Sequence, residues 1–380
     1  MNARESIEHS FRHRIVYPVL RSVFRNPVCQ QPVRLDGIKR MLVFRHDRIG
    51  DMIVTLPLFR ALKRRAPGLE LTVVASNANA ELAQCCKSVD EVRTLETNLP
   101  GMVSQLLELR RRRFDVVMNF VFNQTTIPGI RANLIAPDAV KIGQGPDKYA
   151  FYFNRLVKVP RFERHMTEQL AVFVESAFGF QLAPDELQLG IDVPDEQQAK
   201  VDTWLREHSL VRNAGPATYG LPYAVFNLSV RESDRGLSEE QAAGVCALLC
   251  RSGRFRTVVM FDPQNSQAAA MVAARPEFKS SIVFRTDGTS PLLQIASLIG
   301  GAIAVVTPDT SVIHFASAMQ TPVCGIYGQD YKGVEWGPFR VRHRIIRAEA
   351  EGPTSSISVG ELTNEVDGFV EDILSDERRR

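Results

Sequence analysis

The chain has 380 residues with 44% hydrophobic and 23% charged content, ordinary for a soluble globular protein and long enough for two separate cores. A net charge of only +3 argues against nucleic acid as the partner. No run approaches the roughly 18 uncharged apolar residues of a membrane span, no apolar signal core opens the chain, and the six cysteines show no secreted framework, so the usage fits a reducing cytoplasm.

In chain order, residues 1–37 read as a basic amphipathic extension. "SFRHRIVYPVLRSVFRNP" sets Phe11, Ile15, Val16, Leu20, Val23 and Phe24 against Arg12, Arg14, Arg21 and Arg25. Such a segment can lie on an anionic membrane surface or pack on its own domain, and Pro18 interrupts a single helix through it. From Lys39 strands and helices alternate. Apolar runs at 41–45, 71–75, 115–121 and 139–142 read as strands, with helices over 57–65, 78–86 and 102–112. The run Arg110 to Arg113 reads as a solvated helix end. A well-patterned helix follows over 165–179, closed by Gly179.

A helix at 194–209 and a loop at 213–222 lead to a second alternation. Its strands fall at 223–228, 256–261, 281–284, 302–306 and 322–327, and its helices at 238–251, 264–274, 290–299 and 311–319. Cys246 and Cys250 share one apolar helix face and read as buried thiols, not metal ligands. "ISVGELTNEVDGFVEDIL" closes the chain as an amphipathic helix. Short apolar runs joined by helix-length segments imply parallel strands with crossover helices. The expected α/β organisation is two Rossmann-like domains facing a cleft, over 38–185 and 223–355. A linker helix and loop (186–222) join them, and a helix and tail (356–380) follow.

Ligands of open parallel sheets bind beyond the carboxyl ends of strands. Four loops there carry chemistry. In "FRHDRIGD", Gly50 permits a tight turn and Asp51 stands at or near a helix start. Asp51 reads either as a helix cap or as a carboxylate able to take a proton from a hydroxyl nucleophile. Arg45 and Arg48 can pair with the aspartates or receive an anionic substrate group. "FNLSVRESDRGLSEE" offers Asn227, Ser229, Arg231, Ser233 and Arg235 ahead of a helix, a loop suited to phosphate or to ordinary capping at Ser238. "VVTPDTSVIHFASAMQ" places Asp309, Thr310 and Ser311 at a helix start, with His314 in the first turn, a ready diphosphate site. In "MNFVFNQTT", Asn119, Asn123 and Gln124 suit sugar hydroxyls.

Together these stretches resemble the bacterial lipopolysaccharide heptosyltransferase family, glycosyltransferase family 9. The family's opening "R.DRIGD" loop matches "MLVFRHDRIGDMIVTLPLFRALKRRAP", and its "DTG..H.A.A…P….YG" segment matches "DTSVIHFASAMQTPVCGIYG". "RFDVVMNF", His165 before the long helix and "WGP" at 336–338 also fit. The resemblance covers roughly residues 39 to 375 and implies a GT-B fold, with an N-terminal acceptor domain, a C-terminal nucleotide-sugar domain and inverting transfer without metal or other cofactor. It implies that Asp51 is the catalytic base. It likewise assigns Asp309, Thr310, Ser311 and His314 to the donor, and gives Arg235 the diphosphate as it leaves. The expected partners are an ADP-sugar and a lipid-linked or oligosaccharide acceptor, handled in the cytoplasm near the anionic inner membrane. This chain carries Ser311 where the family usually has Gly, and Arg235 where Lys is commoner. The competing reading is a nucleotide-sugar-binding or assembly protein on the same fold that has lost turnover.

Overall fold

The computed structural model describes residues 17–24, 26–96, 98–122, 125–213, 220–230, 235–262, 264–328, 333–348 and 352–377. The first unit is built on a parallel sheet of β1 (Arg40–Arg45), β2 (Glu70–Ala75), β3 (Glu91–Thr94), β4 (Val116–Asn119), β5 (Val140–Gln144) and β6 (Arg155–Val157), ordered β3-β2-β1-β4-β5-β6. Its helices are α1 (Tyr17–Val23), α2 (Ile49–Arg65), α3 (Ala80–Cys85), α4 (Leu99–Arg111), α5 (Thr126–Ile135) and α6 (Met166–Phe178). The central strands β1 and β4 are almost wholly buried, as expected when helices cover both faces of a parallel sheet. On one face Leu106 and Leu109 of α4 and Ala132 and Ile135 of α5 pack on Leu42, Phe44 and Val117.

The second unit repeats the plan. Strands β7 (Tyr223–Asn227), β8 (Arg256–Met260), β9 (Ile282–Val283), β10 (Ala304–Pro308), β11 (Val323–Tyr327) and β12 (His343–Arg347) form a parallel sheet ordered β12-β11-β10-β7-β8-β9. Its helices are α7 (Asp195–Glu207), α8 (Glu239–Arg251), α9 (Ser266–Ala274), α10 (Pro291–Gly301), α11 (Val312–Met319), α12 (Gly333–Trp336) and α13 (Val359–Glu377). Phe226, Val245, Val259, Val306, Leu362 and Phe369 share its core. Ser238 caps α8 with a full capping box, and Gln241 then reaches the Thr354 and Ile357 carbonyls, fixing the approach to α13.

Counted from its own first strand, each sheet runs 3-2-1-4-5-6, the order of the doubly wound dinucleotide-binding folds. The strand order therefore reverses between β1 and β4 in one unit and between β7 and β10 in the other. The fold is α/β of GT-B type, with two Rossmann-like domains.

Several boundaries differ from the sequence reading. The helix expected from Pro57 begins at Ile49, so Pro57 lies inside α2. An interior proline costs about 3 kcal/mol or more, but Met52, Ile53, Val54, Leu56, Leu58 and Phe59 are all fully buried around it. Strand β10 runs on to Pro308, two residues past the expected Val306. The sequence reading did not anticipate β3, α5, β6 or β12. Three of these are short, partly exposed strands whose apolar runs are too brief to carry a period.

Described residues of the N-terminal extension belong to the first unit. Tyr17 bonds Thr126 at 3.3 Å, Asn26 donates to Asn133 at 2.8 Å, and the Val33 N–H donates to the Ala177 carbonyl at 2.9 Å. Pro18 is the second described residue of α1, and residues 1–16 of the basic amphipathic extension lie outside the described residues. Gly179, at φ 76°, leaves room for Pro32, which would lie 2.9 Å from a Cβ there. From Gln188 onward the linker packs with the second unit, where Arg212 holds Asp202 at 2.6 Å and the Ser297 carbonyl at 2.7 Å. Two short pieces of the earlier chain, Ile49–Leu56 and Phe162–Met166, also group with the second unit. Among the described residues no helix is long and apolar enough to cross a membrane.

Candidate active site

At the end of β1 the sequence "RHDR" forms a hydrogen-bonded turn. Arg45 is only 1% exposed, and its Nη1 donates to the Phe120 carbonyl at 2.5 Å and to Asp47 Oδ2 at 2.9 Å. A buried guanidinium needs such partners, because an unpaired charge in the interior is costly. Of the two roles open to Arg45 from the sequence, the structure thus shows pairing with an aspartate, and the buried side chain is not displayed to acceptor anions. Asp47 is its counter-ion. Asn79, fully buried, holds the same turn by donating to the Arg45 and Arg48 carbonyls at 3.1 and 3.3 Å. Burial, with Arg131 and Arg45 nearby, lowers His46 to about 4. Arg48 is exposed and occupies the cap position of α2. Asn119 is also buried, and its Oδ1 accepts the Val121 N–H at 3.1 Å, so its amide closes the β4 turn and is not displayed to a sugar. Asn123 and Arg231 lie outside the described residues.

Arg48 holds the cap position, so Asp51 is not the helix cap: it is the third residue of α2, in the first turn. Immediately before it, Gly50 meets His314 of α11. A Cβ on Gly50 would fall 2.6 Å from His314 Cδ2, so the imidazole rests directly on the backbone that carries Asp51. His314 is 5% exposed, and among the described residues its Nδ1 has no hydrogen-bond partner. Burial lowers its pKa to about 4 against the opposing pull of the Asp51 carboxylate, so the ring is neutral near pH 7. Trp336 packs edge-on against it at 5.8 Å between centroids. His165 lies 6.2 Å away, stacked on Phe339 at 4.2 Å. Burial first, then His314, lowers His165 to about 3.

At the switch point of the second sheet the hinge is Asn227, fully buried at the end of β7. Its Nδ2 donates to Thr307 Oγ1 at 3.0 Å and Thr310 Oγ1 at 3.3 Å, while its Oδ1 accepts the Ser229 N–H at 3.0 Å. One amide thus ties the β7 exit, with Ser229, to the β10 exit. Thr310 also caps α11 locally by accepting the Val312 N–H at 3.3 Å. Ser311 occupies the cap position without a side-chain cap bond. Arg235 and Asp309 form an ion pair, Nη1 to Oδ2 at 3.1 Å, with side chains 24% and 21% exposed. The structure therefore holds Ser229 and Thr310 together through Asn227, sets the Arg235–Asp309 ion pair beside them through the adjacent residues Asp309 and Thr310, and places His314 against Gly50 next to Asp51. Sequence reasoning missed Asn79 and Thr307, and named Asn227 only as a loop donor. For Asn227 and Thr307 the available signal was a polar side chain near the end of an otherwise apolar strand, and for Asn79 its place just before a helix.

The arrangement presents a carboxylate at one helix start, and a cation, hydroxyls and backbone N–H groups at another. Such groups suit proton removal and the binding of oxyanions. The model of glycosyltransferase family 9 (heptosyltransferase) matches residues 105–363. A candidate glycosyltransferase of Haemophilus influenzae is 30% identical over 91 residues, a match spanning 23% of this chain and only 25% of that relative. A family 9 glycosyl transferase from Veillonella parvula superposes with a TM-score of 0.74 at 17% identity, covering 90% of this chain and 99% of that one. E. coli ADP-heptose lipopolysaccharide heptosyltransferase II gives 0.69 at 19% identity, covering 89% and 99%. An E. coli heptosyltransferase solved with ADP gives 0.67 at 19% identity, covering 88% and 99%. With more than half its length matched by the family model, the chain belongs to glycosyltransferase family 9, the heptosyltransferases.

Proposed function

We propose that the protein transfers a heptose or related sugar from an ADP-linked donor to a hydroxyl of a lipopolysaccharide-core-type acceptor, with inversion and with Asp51 as general base. The reading rests chiefly on the placement of Asp51 in the first turn of α2 and beside the neutral ring of His314. The E. coli relative solved with ADP supports the choice of nucleotide.

In this reading the acceptor oxygen attacks the anomeric carbon opposite the diphosphate while Asp51 takes its proton. The bond from that carbon to the diphosphate oxygen breaks, and negative charge grows on the departing ADP. Arg235, held by Asp309, and the N-terminus of α11 offset that charge. Asn227 keeps Ser229 and Thr310 in register for the same group. His314 stays neutral because burial disfavours its protonated form, and its ring can hydrogen-bond beside Asp51. The work is done in the cytoplasm, where nucleotide sugars are made.

Asp51→Asn tests the base. Transfer should fall by about 100-fold or more with circular dichroism and ADP affinity unchanged. Near-normal transfer in a folded Asp51→Asn protein would remove Asp51 from the mechanism. ADP binding by calorimetry with no transfer to any acceptor by the wild-type chain would favour the binding-protein reading.

A further inference from the structure

We propose that the outer face of α4 and α5 is the surface by which this protein docks on an anionic lipid bilayer. The inner faces of both helices are spent on the sheet, through Leu106, Leu109, Ala132 and Ile135. What remains turned outward is unusually apolar for a water-facing helix pair. On α4, Leu99, Val103 and Leu107 stand four residues apart and are 67%, 45% and 50% exposed. On α5, Ile127 and Leu134, seven apart and so on one face, are 53% and 44% exposed. Scattered apolar residues need no explanation, but a shared stripe over two adjacent helices does.

The cations are placed to match. Arg110 and Arg111 end α4 on the exposed side, and Arg110 Nη1 donates to the Leu134 carbonyl at 3.0 Å, bridging the two helices. Arg131 lies between Ile127 and Leu134 in the helical repeat, its Nη2 3.8 Å from the sulfur of Met102 on α4. On α4 the acid is Glu108, and it is engaged by Arg93 at 2.7 Å. Beside the start of α5, α1 adds exposed Val19, Val23 and Arg21.

Apolar side chains framed by guanidinium groups are the pattern of an interfacial lipid contact. A second copy of the chain fits less well. A two-fold interface would bring the arginines of both copies together with a single, already paired acid from each. The occupant argued for is therefore the bilayer.

Flotation of the full chain with vesicles tests this. Phosphatidylcholine vesicles containing phosphatidylglycerol should carry the protein up, and pure phosphatidylcholine vesicles should not. Arg110→Gln with Arg111→Gln should weaken that partition by about 25-fold, each guanidinium contributing about fivefold. Leu107→Asp should abolish it. Transfer to a short water-soluble acceptor should be unchanged in these variants, so the result is independent of the assignment of Asp51. The proposal is overturned if the variants float as well as wild type, or if neutral and anionic vesicles bind alike. A concentration-dependent dimer that Leu107→Asp disperses, without vesicle binding, would overturn it too and assign the face to a second copy.

Discussion

Replacing Gly50 with alanine adds one methyl group to the first turn of α2, a change that helix propensity alone would reward by up to about 1 kcal/mol. The structure predicts the opposite sign. The new Cβ would sit 2.6 Å from His314 Cδ2 and 3.2 Å from Nε2, about 1 Å inside ordinary contact. The ring has little room to retreat, being buried between Trp336 and His165. Overpacking of this kind costs about 1–3 kcal/mol, so the net effect is a destabilisation of about 0–2 kcal/mol. Any shift of the turn also moves Asp51, and a misplacement near 1 Å costs on the order of 100-fold in rate. Gly360 supplies the control: it lies in the first turn of α13 with no atom within 4 Å of its would-be Cβ, so Gly360→Ala should be neutral or stabilising. Thermal melts and transfer kinetics on both variants would show the contrast. Removing the ring with His314→Ala should relieve the clash, so Gly50→Ala should cost less in that background. Equal costs in the two backgrounds, or a Gly50→Ala enzyme as stable and as active as wild type, would refute the contact as the cause.

Stability should fall as pH drops from about 6.5 toward 4. The unfolded chain takes up protons there that His314 and His165, lowered to about 4 and about 3, exclude when folded. At pH 5 the exclusion at His314 alone amounts to about 2 kcal/mol, so denaturant titrations at pH 7 and pH 5 should show a smaller loss for His314→Gln than for wild type. Asn227→Ala leaves Thr307, Thr310 and the Ser229 N–H without the amide that joins them, and should cost about 2–4 kcal/mol and raise donor KM. An unchanged donor KM would separate that amide from donor binding. Arg45→Met should destabilise by about 3–5 kcal/mol by stranding Asp47, and Asp47→Asn in the same chain should recover much of it, as read from denaturation midpoints.

The two alternations of strand and helix were legible because parallel strands buried on both faces must be continuous apolar runs, and β1, β4, β7 and β10 are such runs. The edges were not legible. "EVRT" and "HRIIR" become strands β3 and β12 through pairing with β2 and β11, which no local pattern announces. Asp51 reads as standing at or near a helix start while the patterned helix reads only from Pro57, and burial of the residues between them makes the two one helix. Of the charged "RHDRIGD" turn, the sequence identified the residue types worth attention but not how they divide.

By itself the sequence determined the α/β class, the two-domain plan and the loops in which chemistry could sit, since hydrophobic period and glycine position are local properties. Only the tertiary structure decided which polar groups are spent holding the fold and which are left to act. Arg45 and Asn119 turned inward because a buried charge or amide must be paired wherever the chain places it. Gly50 leaves the space that the ring of His314, more than 260 residues later, occupies.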